Sequence, residues 1–176
     1  MPRQGIYSTM DRNKEIRVVL GPESVKIVEK LADNIWREHY TSIIGEDQVN
    51  YMLNKFQSAS AIEAQIEEGA QYYLIFYKDS AAGYFSYYFQ DNTLFLSKIY
   101  VDSKFRGTGL GRFSMDFIEQ QATESNRESI TLTVNKNNTN TIAAYKKMGF
   151  EIEQAIIMDI GNGYVMDDYK MIKELK

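Results

Sequence analysis

The chain has no cysteine, a single histidine (His39) and 2 prolines in its 176 residues. Without cysteine there is no disulfide, no thiolate zinc site and no cysteine nucleophile, so any acyl transfer must be direct or use another nucleophile. A serine–histidine pair would have to be built around His39, no imidazole cluster can form for a metal, and no G-x-S-x-G elbow occurs. No apolar run reaches the ~20 residues of a membrane-spanning helix. Residues Met1 to Lys14 are polar rather than signal-like, which makes the cytoplasm the expected location and a membrane partner unexpected. Positive charge is also in short supply: 20 Lys and Arg stand against 24 Asp and Glu, with a formal net charge of -4 and a pI near 5.1. That balance argues against a nucleic-acid partner. It suits a cationic small molecule, and it equally suits simple solubility.

What is present is an ordinary globular composition, 44% hydrophobic and 25% charged. The length is that of one domain with a substantial core. Residues 1–13 read as a polar extension and 14–176 as a single domain. Glu15 to Leu20 reads as a first strand, broken by Gly21-Pro22. Pro22 to about Tyr40 carries Val25, Ile27, Val28, Leu31, Ile35 and Trp36 close to helical spacing. A second helical stretch follows Gly45, and a third is capped by Ser58 or Ser60 and stopped at Gly69. Gln71 to Tyr77 and Gly83 to Phe89 form a predicted hairpin around a turn at Lys78 to Ala82. Strands are then expected at Leu94–Val101, Ser129–Asn135, Glu151–Ile160 and Tyr164–Glu174, with helices over Leu110–Ala122 and before Gly149.

The most informative stretch is Arg106-Gly107-Thr108-Gly109-Leu110-Gly111, which lies between a predicted buried strand and an amphipathic helix. Glycines let a backbone approach a ligand without Cβ obstruction. The helix behind them supplies free N–H groups and the positive end of its dipole, so the segment is built to meet a phosphate. It is not a Walker loop, because no Gly-Lys-Ser/Thr occurs, and it is not G-x-G-x-x-G, because Arg112 occupies the sixth position counted from Gly107. The spacing that fits is Arg106-x-x-Gly109-x-Gly111. Downstream, Asn138, Tyr145 and Gly149-Phe150 follow a second strand, with Asn suited to open a short helix and Gly to close it.

These two motifs, in this order, resemble those of the GNAT superfamily of acetyl-CoA-dependent N-acetyltransferases. The resemblance is specific over Leu94 to Phe150 and holds only in outline for the N-terminal helices. It implies an α/β (α+β) fold: a mixed, mostly antiparallel seven-stranded sheet with a central splay, flanked by helices. It implies acetyl-CoA as co-substrate, with no metal. The pantetheine arm is then expected against the backbone of Ile99, Tyr100 and Val101, and the pyrophosphate over Arg106, Gly107, Thr108, Gly109, Leu110, Gly111 and Arg112. Arg112 reads equally well as a solvated helix residue. Asn138 reads either as a cofactor contact or as a helix cap alone. Tyr145 resembles the family's general acid, against a plain core role; a phenol with a pKa near ~10 stays protonated at neutral pH and can donate to a departing thiolate.

No base is evident. Ser97 stands near where some family members carry a Glu, which leaves a water-relayed path or His39, at the end of the first helix. Trp36, Tyr40, Glu46 and Asp47 are candidates for the acceptor pocket, with core or solvated roles as the alternatives. The acidic balance and the segment Tyr145 to Phe150 most resemble bacterial enzymes acting on polyamines and related small amines. Protein N-terminal or lysine acetylation, and a non-catalytic acyl-CoA-binding regulator, are the competing expectations. A homodimer is left open.

Overall fold

The computed structural model describes residues 9–176. Eight strands and five α-helices follow in the order β1(Thr9–Asp11), β2(Lys14–Val18), α1(Gly21–Ile44), α2(Glu46–Phe56), α3(Ala59–Glu67), β3(Gln71–Tyr77), β4(Ser80–Gln90), β5(Thr93–Val101), α4(Leu110–Glu124), β6(Ser129–Asn135), α5(Thr139–Lys147), β7(Glu151–Gly161) and β8(Tyr164–Glu174). This is the expected mixed sheet flanked by helices, with one short strand more: Thr9–Asp11, within the segment read as a polar extension, pairs antiparallel with β2. Residues 1–8 of that extension lie outside the described residues.

The chain packs as two compact units, one formed by the residues up to Tyr87 with Lys98–Phe117, the other by Tyr88–Ser97 with Ile118–Lys176. In the first, β1, β2, β3 and β4 are antiparallel neighbours in chain order. Its core is aromatic. Tyr73 on β3 sits opposite Phe85 on β4, with ring centroids 5.0 Å apart, and the Phe117 ring of α4 closes on Tyr73 edge-on at 5.2 Å. α1 buries Val25, Val28, Leu31, Ala32, Ile35 and Trp36, a stripe at three- and four-residue spacing. Ile27 falls off that stripe and is 38% exposed, so it is not the core position its place in the apolar run implied.

α1 continues past Tyr40 to Ile44, where the Gly45 N–H donates back to the Thr41 carbonyl at 3.0 Å and Gly45 turns out of the helix at φ +88°. The predicted turn at Lys78 to Ala82 is shorter than expected. Lys78 and Asp79 both take positive φ, 47° and 66°, so a two-residue turn suffices and β4 starts at Ser80.

In the second unit the order is β5-β6-β8-β7. β5 and β6 are parallel, and their ladder runs from Thr93↔Ser129 to Leu96↔Leu132, while β6 continues to Asn135. β6 then pairs antiparallel with β8 along its full length. Leu94, Leu96, Ile118, Ala122, Ile130, Leu132, Phe150 and Met171 form this unit's buried core.

Candidate active site

In the first unit β5 ends at Val101, and Asp102 turns the chain. The Asp102 N–H donates to the Ala82 carbonyl at 2.7 Å, and its carboxylate accepts the Lys104 N–H at 3.0 Å. A 3-10 turn over Ser103–Phe105 leads into the glycine loop, and the Thr108 hydroxyl braces the loop by donating to the Phe105 carbonyl at 2.5 Å. Gly107 and Gly109 hold φ of +77° and +80°, a backbone that an L side chain resists. α4 then begins, with the Phe113 N–H donating to the Gly109 carbonyl at 3.0 Å. Among the described residues nothing accepts a hydrogen bond from the consecutive amides of Gly109 to Arg112. Such a run of free amides at a helix start is a concave nest for an anion.

Arg106 and Arg112 are exposed beside this nest. Lys14 joins them: its Nζ lies 3.2 Å from where a Cβ on Gly109 would stand, and 5.8 Å over the Phe113 ring. Lys14 lies on β2, far from the loop in sequence, and no local pattern marks it. Strand pairing alone carries it there.

Ile99, Tyr100 and Val101 are half-buried at the end of β5. β4 passes this segment closely, because a Cβ on Gly83 would stand 2.2 Å from the Tyr100 carbonyl oxygen. The Tyr100 ring lies 5.6 Å from Trp36 and 5.6 Å from Tyr84, and the Tyr100 and Tyr40 hydroxyls share a hydrogen bond of 2.9 Å. Trp36 and Tyr40 are thus gathered on Tyr100. His39 stacks edge-on against Tyr40 at 4.7 Å and lines a cavity of about 30 Å³ with Glu38, Val101, Ser103 and Arg106. Burial, and then the positive charge of Arg106, push the His39 imidazole below its ordinary pKa, with Glu38 opposing. The neutral ring is therefore favoured. Glu46 and Asp47, by contrast, are exposed in the first turn of α2.

The sequence reading did not single out Lys98. Its Nζ donates to Gln65 Oε1 at 3.3 Å and stands 5.7 Å over the Tyr72 ring, and burial lowers its pKa to about 8. A polar chain continues from it. The Tyr72 hydroxyl donates to Gln65, Gln57 Nε2 donates to the Tyr72 oxygen at 3.1 Å, and the buried Tyr84 hydroxyl donates to Gln57 Oε1 at 2.6 Å. Ser97 is half-buried on β5 in the other unit.

In the second unit α5 carries the remaining two candidates. Asn138 precedes the helix, is 8% exposed, and makes no side-chain hydrogen bond to the first turn, so capping is not its role. Tyr145 is 9% exposed, with its ring 5.7 Å from that of Phe150. The helix closes as the sequence implied: Gly149 takes φ +98°, its N–H donates to the Lys146 carbonyl at 3.1 Å, and the Phe150 N–H donates to the Tyr145 carbonyl at 3.1 Å. This is a Schellman closure, and the Tyr145–Phe150 contact is its apolar clasp. The clasp holds the tyrosine's ring in place. Among the described residues no group of His, Asp and Glu side chains converges on a metal position, and no helix is long and apolar enough to cross a membrane.

A free-amide nest between a strand and a helix, set in a mixed α/β fold, is a geometry suited to a phosphorylated ligand. The profile of the acetyltransferase (GNAT) family matches residues 30–150, and the chain belongs to that family. It is accordingly an N-acetyltransferase with acetyl-CoA as donor. Its fold is shared with the PaiA N-acetyltransferase of Thermoplasma acidophilum, solved in complex with coenzyme A, at 18% identity and a TM-score of 0.75, over 92% of this chain and 99% of that one. A GCN5-related N-acetyltransferase from Rhodopseudomonas palustris matches at 18% identity and a TM-score of 0.76, over 95% and 99% of the two chains. The Salmonella typhimurium acetyltransferase that modifies the N-terminal serine of ribosomal protein L7/L12 matches at 16% identity and 0.70, over 94% and 97%.

Proposed function

We propose that this enzyme moves the acetyl group of acetyl-CoA directly onto a primary amine of a small cationic molecule, a polyamine or a related amine, in the cytoplasm. The observation that carries the reading is the unclaimed run of amides from Gly109 to Arg112, flanked by Arg106, Arg112 and Lys14. A diphosphate satisfies those donors and those charges together. The acidic balance of the chain favours a cationic acceptor.

In this reading the pantetheine amides pair with the backbone of Ile99, Tyr100 and Val101, and Asn138 contacts the cofactor. The neutral amine attacks the thioester carbonyl, a C–N bond forms, and the developing oxyanion takes a backbone N–H at Ile99 or Tyr100. As the C–S bond breaks, Tyr145 gives its phenolic proton to the sulfur. The proton lost by the amine leaves through water, with the neutral His39 as the alternative acceptor. Acetylation of a protein N-terminus is the second reading, favoured by the fold shared with the L7/L12 enzyme.

Calorimetry with acetyl-CoA and with coenzyme A tests the cofactor, and thiol release with spermidine, diamines, aminoglycosides and N-terminal peptides tests the acceptor. Binding of both coenzymes with thiol release on small amines is expected. Binding with turnover on peptides alone selects the second reading. Binding without any turnover marks a regulator, and no binding at all refutes the reading.

A further inference from the structure

We propose that Asp168 is an acceptor anchor: a buried carboxylate that seats the alkylammonium group of a cationic amine. The inference rests on the transferase reading above and adds to it the residue that recognises the acceptor. Asp168 lies on β8, opposite Asn135 at the end of β6 and Ile156 of β7. It is 1% exposed, and its Oδ1 has no hydrogen-bond partner. A buried carboxylate without a donor is costly, and proteins rarely keep one idle.

Its placement points to a ligand. Alternation along the β6–β8 ladder puts Thr131, Thr133 and Asn135 on the same face as Asp168. The opposite face carries Lys173, which pairs with Glu119 of α4, so Asp168 projects away from the side that α4 covers. It also stands beside the stretch of β6 that runs on past the last β5 partner, Leu132, toward Asn138 and α5.

The charged neighbours leave the position open. Lys136 is committed to Asp167 at 2.6 Å and lies 5.5 Å over the Tyr169 ring. Lys170, two positions along the same face, pairs with Glu153 at 3.3 Å. Burial foremost, then Asp167, raise the Asp168 carboxyl to about 6, with Lys136 opposing. At neutral pH the group is therefore mostly ionised. Its missing partner must bring positive charge and N–H donors together. A primary ammonium brings both, an anion is repelled, and no metal-ligand cluster accompanies it among the described residues.

The test uses the whole protein labelled with ¹³C at aspartate carboxyls and 1,4-diaminobutane as the probe, with and without coenzyme A. The diamine is expected to move the Asp168 titration midpoint downward by at least half a unit. Asp168→Asn is expected to raise the diamine KM at least tenfold while leaving the acetyl-CoA dissociation constant within twofold. A midpoint unmoved by saturating diamine, no diamine binding up to 100 mM, or an unchanged diamine KM in a folded Asp168→Asn protein overturns the anchor. The wild-type titration decides if the variant does not fold. Loss of coenzyme binding by the wild-type protein refutes the transferase reading instead, and calorimetry reads it separately.

Discussion

The hydroxyls of Tyr40 and Tyr100 meet at 2.9 Å and tie the helix α1 to the end of β5. Trp36 packs against both rings, at 5.7 Å and 5.6 Å. This cluster fixes the strand residues whose backbone is proposed to hold the pantetheine. Tyr40→Phe removes the hydrogen bond to Tyr100 and keeps the ring, so the expected loss of stability is at least about 1 kcal/mol. Denaturant unfolding checks that figure. Steady-state kinetics on the same protein should show the acetyl-CoA KM rising more than the acceptor KM.

Gly109→Val addresses the nest. Gly109 sits at φ +80°, and its new side chain would meet Lys14 Nζ at 3.2 Å. A β-branched residue resists that backbone, so the amides turn away from their common focus. Calorimetry is expected to show acetyl-CoA affinity falling at least tenfold, roughly 1.4 kcal/mol or more. Turnover at saturating acetyl-CoA should fall much less.

Tyr145→Phe separates chemistry from packing. The ring contact with Phe150 survives the change, so the apolar clasp at the end of α5 should hold. Loss of a general acid predicts a fall in kcat of about a hundredfold, with acetyl-CoA affinity unchanged. A proportionate loss of affinity and turnover would mean that the phenol serves binding or structure instead.

Asp168 predicts the pH dependence of stability. Its carboxyl titrates at about 6 in the folded protein, against 3.8 for the ordinary group. Between those values the folded state holds more protons than the unfolded one, so this group makes stability fall as pH rises from about 4 to about 6. Asp168→Asn removes that slope and should raise stability at pH 7 by an amount of the order of 2 kcal/mol. Thermal melts of both proteins at pH 4.5 and pH 7 give the comparison. A wild-type protein no less stable than the variant at pH 7 contradicts the prediction.

Element types were legible because they rest on local rules. Val25, Val28, Leu31 and Ile35 repeat at helical spacing and are buried on one face of α1. Ser58 or Ser60 was readable as a cap, and it is the Ser58 hydroxyl that accepts the Ala61 N–H, at 3.2 Å. The hairpin at Lys78-Asp79 was harder to place, because Lys78 is not a usual choice for positive φ and no glycine marks the two-residue turn.

Chain order alone carries the glycine loop, the capped helix with its tyrosine and the absence of any cysteine chemistry, because phosphate nests, helix stops and nucleophile types each depend on a few adjacent residues. Lys14 beside Gly109, His39 beside Arg106 and the stranded carboxylate of Asp168 come from strand register and long-range packing. No short window contains both partners of such a pair. Charge proximity and desolvation are properties of the assembled fold, and they appear only when distant segments shut water out together.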